Sequence, residues 1–116
     1  MNNTKELPII QMTYDIIKWL IPNIDKLPRT QKFVLGDRIE IAFLDFLKYI
    51  SLASKTKDKY EILTIADAKL MEIKLLCRLI VDLKYISIKQ FEYLSKQLSE
   101  MGKMLGGWIK SIECRK

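Results

Sequence analysis

Apolar residues recur along most of this chain at intervals of three and four, the spacing of one face of an α-helix. The pattern is cleanest near the C-terminus. Phe91, Leu94, Leu98, Met101, Leu105, Trp108 and Ile112 alternate steps of three and four, the seam of a left-handed helix bundle. Gln90 follows Ser87 by three residues, the arrangement of a capping box. The last helix is therefore expected over about 88–112.

Three further helices precede it. The first is expected over about 8–24, with Pro8 in its first turn, where a missing N–H costs nothing. Ile10, Tyr14, Ile17, Ile21 and Ile24 form its expected stripe, and Pro22 should kink it or turn the chain there. The second helix is expected over about 29–54, opened by Pro28 or capped by Thr30. Phe33, Ile39, Phe43, Phe46 and Ile50 mark its apolar face, and Leu35, Ala42 and Leu47 widen it. A polar stretch at 55–59 reads as a turn or a frayed segment. The third helix, about 60–83, carries Ile62, Ile65, Leu70, Ile73, Leu76, Ile80 and Leu83, with Lys69 interrupting. Glycine and proline are too sparse for an all-β fold. Four amphipathic helices with short connections predict an all-α protein, an antiparallel up-down-up-down four-helix bundle in a single domain spanning 1–116.

The 116 residues suit one domain, and 49% hydrophobic against 29% charged residues is a globular balance. The chain has no histidine, which removes the commonest general base and many zinc sites. Cys77 and Cys114 lack metal-binding spacing. Cys77 sits in an apolar run and reads as a core residue, while the role of Cys114 stays open. Asp37 and Glu40 lie one helical turn apart with no identifiable acid–base role. The stretch from Gly102 to Gly107 lacks the phosphate-loop pattern. No catalytic residue, metal or cofactor is expected, which points to a binding protein rather than an enzyme. No apolar stretch reaches the length of a membrane span and no secretory leader is evident, so the expected location is the cytoplasm.

Charge changes this picture. Twenty basic residues against 14 acidic ones leave a formal +6. Lys89, Lys96, Lys103 and Lys110 repeat every seven residues, each step advancing about 10.5 Å and drifting about 20° around an ideal helix. They form one stripe beside the seam. It reads either as an electrostatic track for an RNA or DNA backbone, or as flanking lysines that cover apolar surface. Arg29 and Lys32 open the second helix, where helix-end potential could help position phosphate. Arg38, beside Asp37 and Glu40, reads equally as an ion-pair or packing residue. Phe33, Leu35, Phe43, Leu44, Phe46 and Leu47 cannot all point along one narrow seam, so some should face a neighbouring subunit. Trp108 fits the core seam or, with Gly106 and Gly107, a contact with another subunit or partner.

Two segments carry a resemblance. The run Leu27-Pro28-Arg29-Thr30-Gln31-Lys32-Phe33-Val34-Leu35-Gly36-Asp37-Arg38-Ile39 resembles the Avd-like family of small four-helix bundles. So do Gln90-Phe91-Glu92-Tyr93-Leu94 and Glu100-Met101-Gly102-Lys103-Met104-Leu105-Gly106-Gly107-Trp108-Ile109-Lys110. Within that family the chain looks most like the accessory variability proteins of diversity-generating retroelements. The resemblance implies a homopentameric barrel, an electropositive surface that binds RNA or DNA, and association with a reverse transcriptase that carries the polymerase chemistry. It implies a general basic-surface role for Arg29, Lys32, Arg38, Lys103 and Lys110, while Lys89 and Lys96 come from the charge stripe. Related bundles encoded in intervening sequences of ribosomal RNA genes give the alternative: a structural or nucleic-acid-associated oligomer without a transcriptase partner.

Overall fold

The computed structural model describes residues 6–113, all of whose regular structure is helical. Helix α1 spans Glu6–Asp25 and α3 spans Tyr60–Asp82. Helix α4 spans Ile88–Glu113. Helix α2 runs over 29–55 as one continuous rod: a first turn, Arg29–Gln31, a wide π segment, Lys32–Gly36, and the α-helical Asp37–Lys55. Cys114 lies outside the described residues.

The side-chain pairs between helices give the topology. Trp19 stacks against Tyr93 with ring centroids 4.7 Å apart, and Gln90 donates to Asn23 at 3.0 Å, so α1 and α4 run antiparallel. Arg38 pairs with Glu72 and Lys69 with Asp45, so α2 and α3 also run antiparallel. Each helix packs on its sequence neighbours, and α1 closes the ring on α4. The result is a four-helix bundle with extents of 47 × 21 × 20 Å.

The core is apolar and continuous. Phe43, Phe46, Ile73, Ile80, Leu94 and Met101 are among its fully buried side chains. Thr13 is the buried polar residue among those described, and its hydroxyl donates to the Ile9 carbonyl at 2.8 Å. Burying it therefore leaves no unmet donor. Cys77 is buried among these apolar side chains, and burial pushes its thiol up to about 12. It stays protonated and inert at neutral pH.

Local signals account for the helix ends. The backbone N–H of Gln90 donates to Ser87 Oγ at 3.0 Å, and the Ser87 N–H donates to Gln90 Oε1 at 2.8 Å. This reciprocal pair satisfies two donors at the start of α4. Helix α3 ends on Lys84, whose φ of 65° lets the Tyr85 N–H reach the Ile80 carbonyl at 2.9 Å. At the end of α2, Lys59 Nζ donates to the carbonyls of Ala53 and Thr56.

Two expectations need correction, and one alternative falls: the chain does not turn at Pro22, because α1 runs on to Asp25, as a stripe continuing to Ile24 requires. Pro22 lies within the last turn on the exposed side, where only one ladder bond is forfeited. The buried stripe of α1 is Ile9, Thr13, Ile16, Ile17, Leu20 and Ile24, so Tyr14 is exposed and Ile10 and Ile21 are only half-buried. In α3 the inward residues are Leu63 and Ala66, not Ile62 and Ile65, and Leu83 is exposed. Adjacent apolar pairs made both registers plausible, and packing against the neighbouring helices selects one.

Candidate nucleic-acid interface

The heptad seam of α4 places Leu94, Leu98, Met101, Leu105 and Trp108 in the core, with Phe91 and Ile112 half-buried at its ends. That anchoring turns the opposite face of α4 outward. Lys89, Lys96, Lys103 and Lys110 are all exposed there, facing away from the core rather than lying beside the seam as expected, because a two-residue offset turns about 200° around a helix. Lys103 lies 3.7 Å from Glu100, one turn away, and among the described residues the other three make no ion pair. An exposed pair of that kind contributes little and is readily exchanged for another anion.

The stripe does not stand alone. A shallow groove runs between α3 and α4, with Ser95, Ser99 and Gly102 as its floor. Lys74 and Arg78, four residues apart on α3, line the far bank, while Lys96 and Lys103 flank the α4 side. Gly102 makes room for the opposite bank: the Lys74 ammonium lies 3.3 Å from where a β-carbon would stand. The short serine and glycine side chains lower the floor, and two hydroxyls remain to donate. Asp67, Glu92 and Glu100 also line the groove, so its charge is interleaved rather than uniformly positive. Sequence reasoning missed Lys74 and Arg78 because it sought a stripe along one helix. Their spacing puts both on one face of α3, but only the bundle shows that this face adjoins α4.

The second basic group divides. Arg29 sits over the Phe33 ring, 5.7 Å from its centroid, and Lys32 pairs with Asp25 at 3.2 Å. Both lie near the bundle end that carries Lys89, because the α1–α2 and α3–α4 turns share that end. Arg38 is elsewhere. It reaches across to Glu72 on α3 at 3.6 Å rather than to its helix neighbours Asp37 and Glu40. Lys69 completes that cluster, 3.0 Å from Glu72 and 3.5 Å from Asp45, and the hydrogen bond to Glu72 raises its pKa.

Glu40 nearby is left unsatisfied. Its Oε2 is buried without a hydrogen-bond partner. Its pKa is raised, first by burial and then by Asp25 and Asp37, with Lys32 pulling the other way. Neighbouring Gly36 is packed so closely that Ile24 Cγ2 lies 2.7 Å from where a β-carbon would stand.

The apolar candidates also divide. Phe43, Phe46 and Trp108 belong to the subunit's own core. Phe33 is 61% exposed and Leu35 half-buried. Gly106 and Gly107 stay inside α4, exposed, with nothing within 4 Å of an added β-carbon, so no backbone of the same chain approaches them. Leu44, also a candidate for facing a neighbour, is exposed, and Leu47 is half-buried. Val34, Ile41, Leu75 and Leu79 are exposed too, and exposed Met71 lines the α3–α4 groove beside Lys74.

Comparison with known families decides the kinship: the model of the bAvd-like family matches residues 7–112. The chain belongs to the bAvd-like family. The match spans all four helices, including the segment from Leu27 to Ile39 and the lysine-bearing α4. No significant match is found among curated proteins or solved structures. Among the described residues of this bAvd-like chain, no group of three or more cysteine or acidic side chains could hold a metal ion. No helix is long and apolar enough to cross a membrane.

Proposed function

We propose that this chain is a non-catalytic accessory protein of a diversity-generating retroelement. In this reading it acts in the cytoplasm as a homo-oligomer, a pentamer by family resemblance. It binds the retroelement's reverse transcriptase and RNA and supports mutagenic cDNA synthesis. The observation that carries the reading is the exposed lysine stripe on α4 of a bundle whose family match covers residues 7–112.

The physical role follows from the groove. A phosphate chain laid along α4 would meet Lys89, Lys96, Lys103 and Lys110 in turn, with Lys74 and Arg78 on the opposite bank. Such contacts hold a backbone in place without reading its bases. That suits a protein which must accept whatever sequence the template presents. The interleaved acids keep single contacts weak, so firm binding requires several subunits on one strand. Arg29 and Lys32 extend the track around the bundle end, and the Arg38–Glu72 pair is left to packing.

The test is co-purification of the chain with the reverse transcriptase encoded beside it and with the template RNA, across a salt series. Retention of both at low salt, with RNA lost first as salt rises, supports the reading. A folded chain that retains neither at low salt contradicts it. A gene lying instead within a ribosomal RNA intervening sequence, with no transcriptase nearby, would favour a structural bundle without that partner.

A further inference from the structure

The groove between α3 and α4 has an aromatic wall that phosphate contacts alone leave unused. Phe91, half-buried at the start of α4, lines three adjoining hollows. In the groove itself it stands with Leu98, Ser95, Ser99, Lys74 and Arg78. Phe91, Ser95 and Ser99 follow one another at intervals of four on α4, so the ring ends the hydroxyl-bearing floor on the side of the α3–α4 turn. Lys74, Arg78, Ser95 and Ser99 are all exposed. Arg78 reaches Asp82 at 4.0 Å, an exposed pair that contributes little and yields readily to a phosphate.

An aromatic wall, a floor of hydroxyls and a cationic bank together fit one kind of ligand. A nucleobase has a flat face to stack and polar edges to meet hydroxyls, and its phosphates carry the charge that Lys74 and Arg78 would answer. In a duplex the bases stack on one another, so a duplex can engage the cations but not the ring. The acids fit the same ligand. Glu92 borders the groove beside Phe91, where a neutral base is tolerated and a phosphate would be repelled.

We infer that the α3–α4 groove holds a single-stranded nucleic acid with a base stacked on Phe91. Every base offers a stacking face, so the contact adds affinity without demanding a sequence. The inference rests on the nucleic-acid part of the proposed function and specifies the form of strand that the groove takes.

Fluorescence anisotropy on the whole chain tests it, with three probes: an oligouridine, an abasic strand of equal length and a duplex. Phe91→Leu keeps an apolar contact with the core and removes the aromatic face, and circular dichroism checks its fold. The variant is expected to bind oligouridine at least about 5-fold more weakly, the low end of what one stacked base contributes. Its salt slope should match the wild type, because no charge is lost, and its duplex affinity should be unchanged. The wild type should prefer oligouridine to the abasic strand, which reads the stacking even if the variant misfolds. Equal affinity of the wild type and folded Phe91→Leu for oligouridine, or of the wild type for both single strands, would overturn the inference and leave the lysine track standing. An equal loss on the duplex would overturn it too, by assigning Phe91 to packing alone. So would loss of transcriptase rather than strand in Phe91→Leu, since the ring would then belong to that partner. A folded wild type that binds neither strand nor duplex at low salt would reject the nucleic-acid reading and the inference together.

Discussion

The Lys74 ammonium rests over Gly102, 3.3 Å from the point where a β-carbon would stand. Gly102 lies inside α4, where glycine costs up to about 1 kcal/mol against alanine. In Gly102→Ala the new methyl would meet Leu70 Cδ2 at an ordinary 3.8 Å, so only the flexible end of Lys74 must move. The variant should be more stable by about 0.5–1 kcal/mol in thermal unfolding. Its affinity for single-stranded RNA should fall, because the displaced ammonium leaves the groove. Lower stability would show that Lys74 cannot yield.

Gly106 and Gly107 behave differently, since nothing lies within 4 Å of either added methyl. Alanine at each should stabilise the isolated chain by up to about 1 kcal/mol. If α4 contacts a neighbour there in the assembly, the double variant should raise the unfolding temperature while lowering the oligomer mass. An unchanged mass would place those glycines outside the subunit contact.

Gly36→Ala should act in the opposite direction. The added carbon would stand 2.7 Å from Ile24 Cγ2, and Leu27 Cδ1 lies 3.7 Å away. A β-branched side chain in a helix has one strongly preferred rotamer, so Ile24 cannot swing aside as a lysine can. Overpacking of this kind typically costs about 1–3 kcal/mol. The denaturant midpoint should drop with an unchanged slope.

Glu40 sets a pH dependence. Its carboxyl binds a proton more readily in the folded chain than at the ordinary value of 4.5, chiefly because of burial. The folded state therefore holds more protons than the unfolded chain just above that value, so stability falls as pH rises through the raised pKa. Glu40→Gln removes the charge and offers an amide donor toward Asp25 and Asp37. The variant should be more stable than the wild type at neutral pH, and the difference should vanish near pH ~4 in denaturant titrations.

What the sequence disclosed depended on how one-sided each helix is. In α4, lysine, serine and glutamate occupy the outward positions, so the seam from Leu94 to Trp108 could be read directly. Ser87 and Gln90 announced their reciprocal hydrogen bonds, and Cys77 its burial. In α1 and α3 the doublets Ile9–Ile10, Leu20–Ile21, Ile62–Leu63 and Leu79–Ile80 offer two apolar residues where the core takes one. Local periodicity cannot choose between them; the facing helix does. The π segment at Lys32–Gly36 was also invisible, because it coincides with a close approach between Gly36 and Ile24 that exists only once α1 and α2 meet. The candidate interface followed the same rule. One bank, on α4, was legible as a seven-residue lysine repeat. The other, Lys74 and Arg78, required knowing which face of α3 lies beside α4.

The salt dependence of RNA affinity tests the central claim most directly. Polyuridine binding should be measured across a salt series for the wild type and for a variant with Lys89, Lys96, Lys103 and Lys110 all changed to glutamine. All four lysines are exposed, so the fold should survive the change. Each phosphate contact contributes about 0.7 to the slope of log affinity against log salt on single strands. With all four engaged, the variant should bind more weakly and its slope should be shallower by about 2.8. A folded variant with wild-type affinity and slope would contradict a nucleic-acid track on α4.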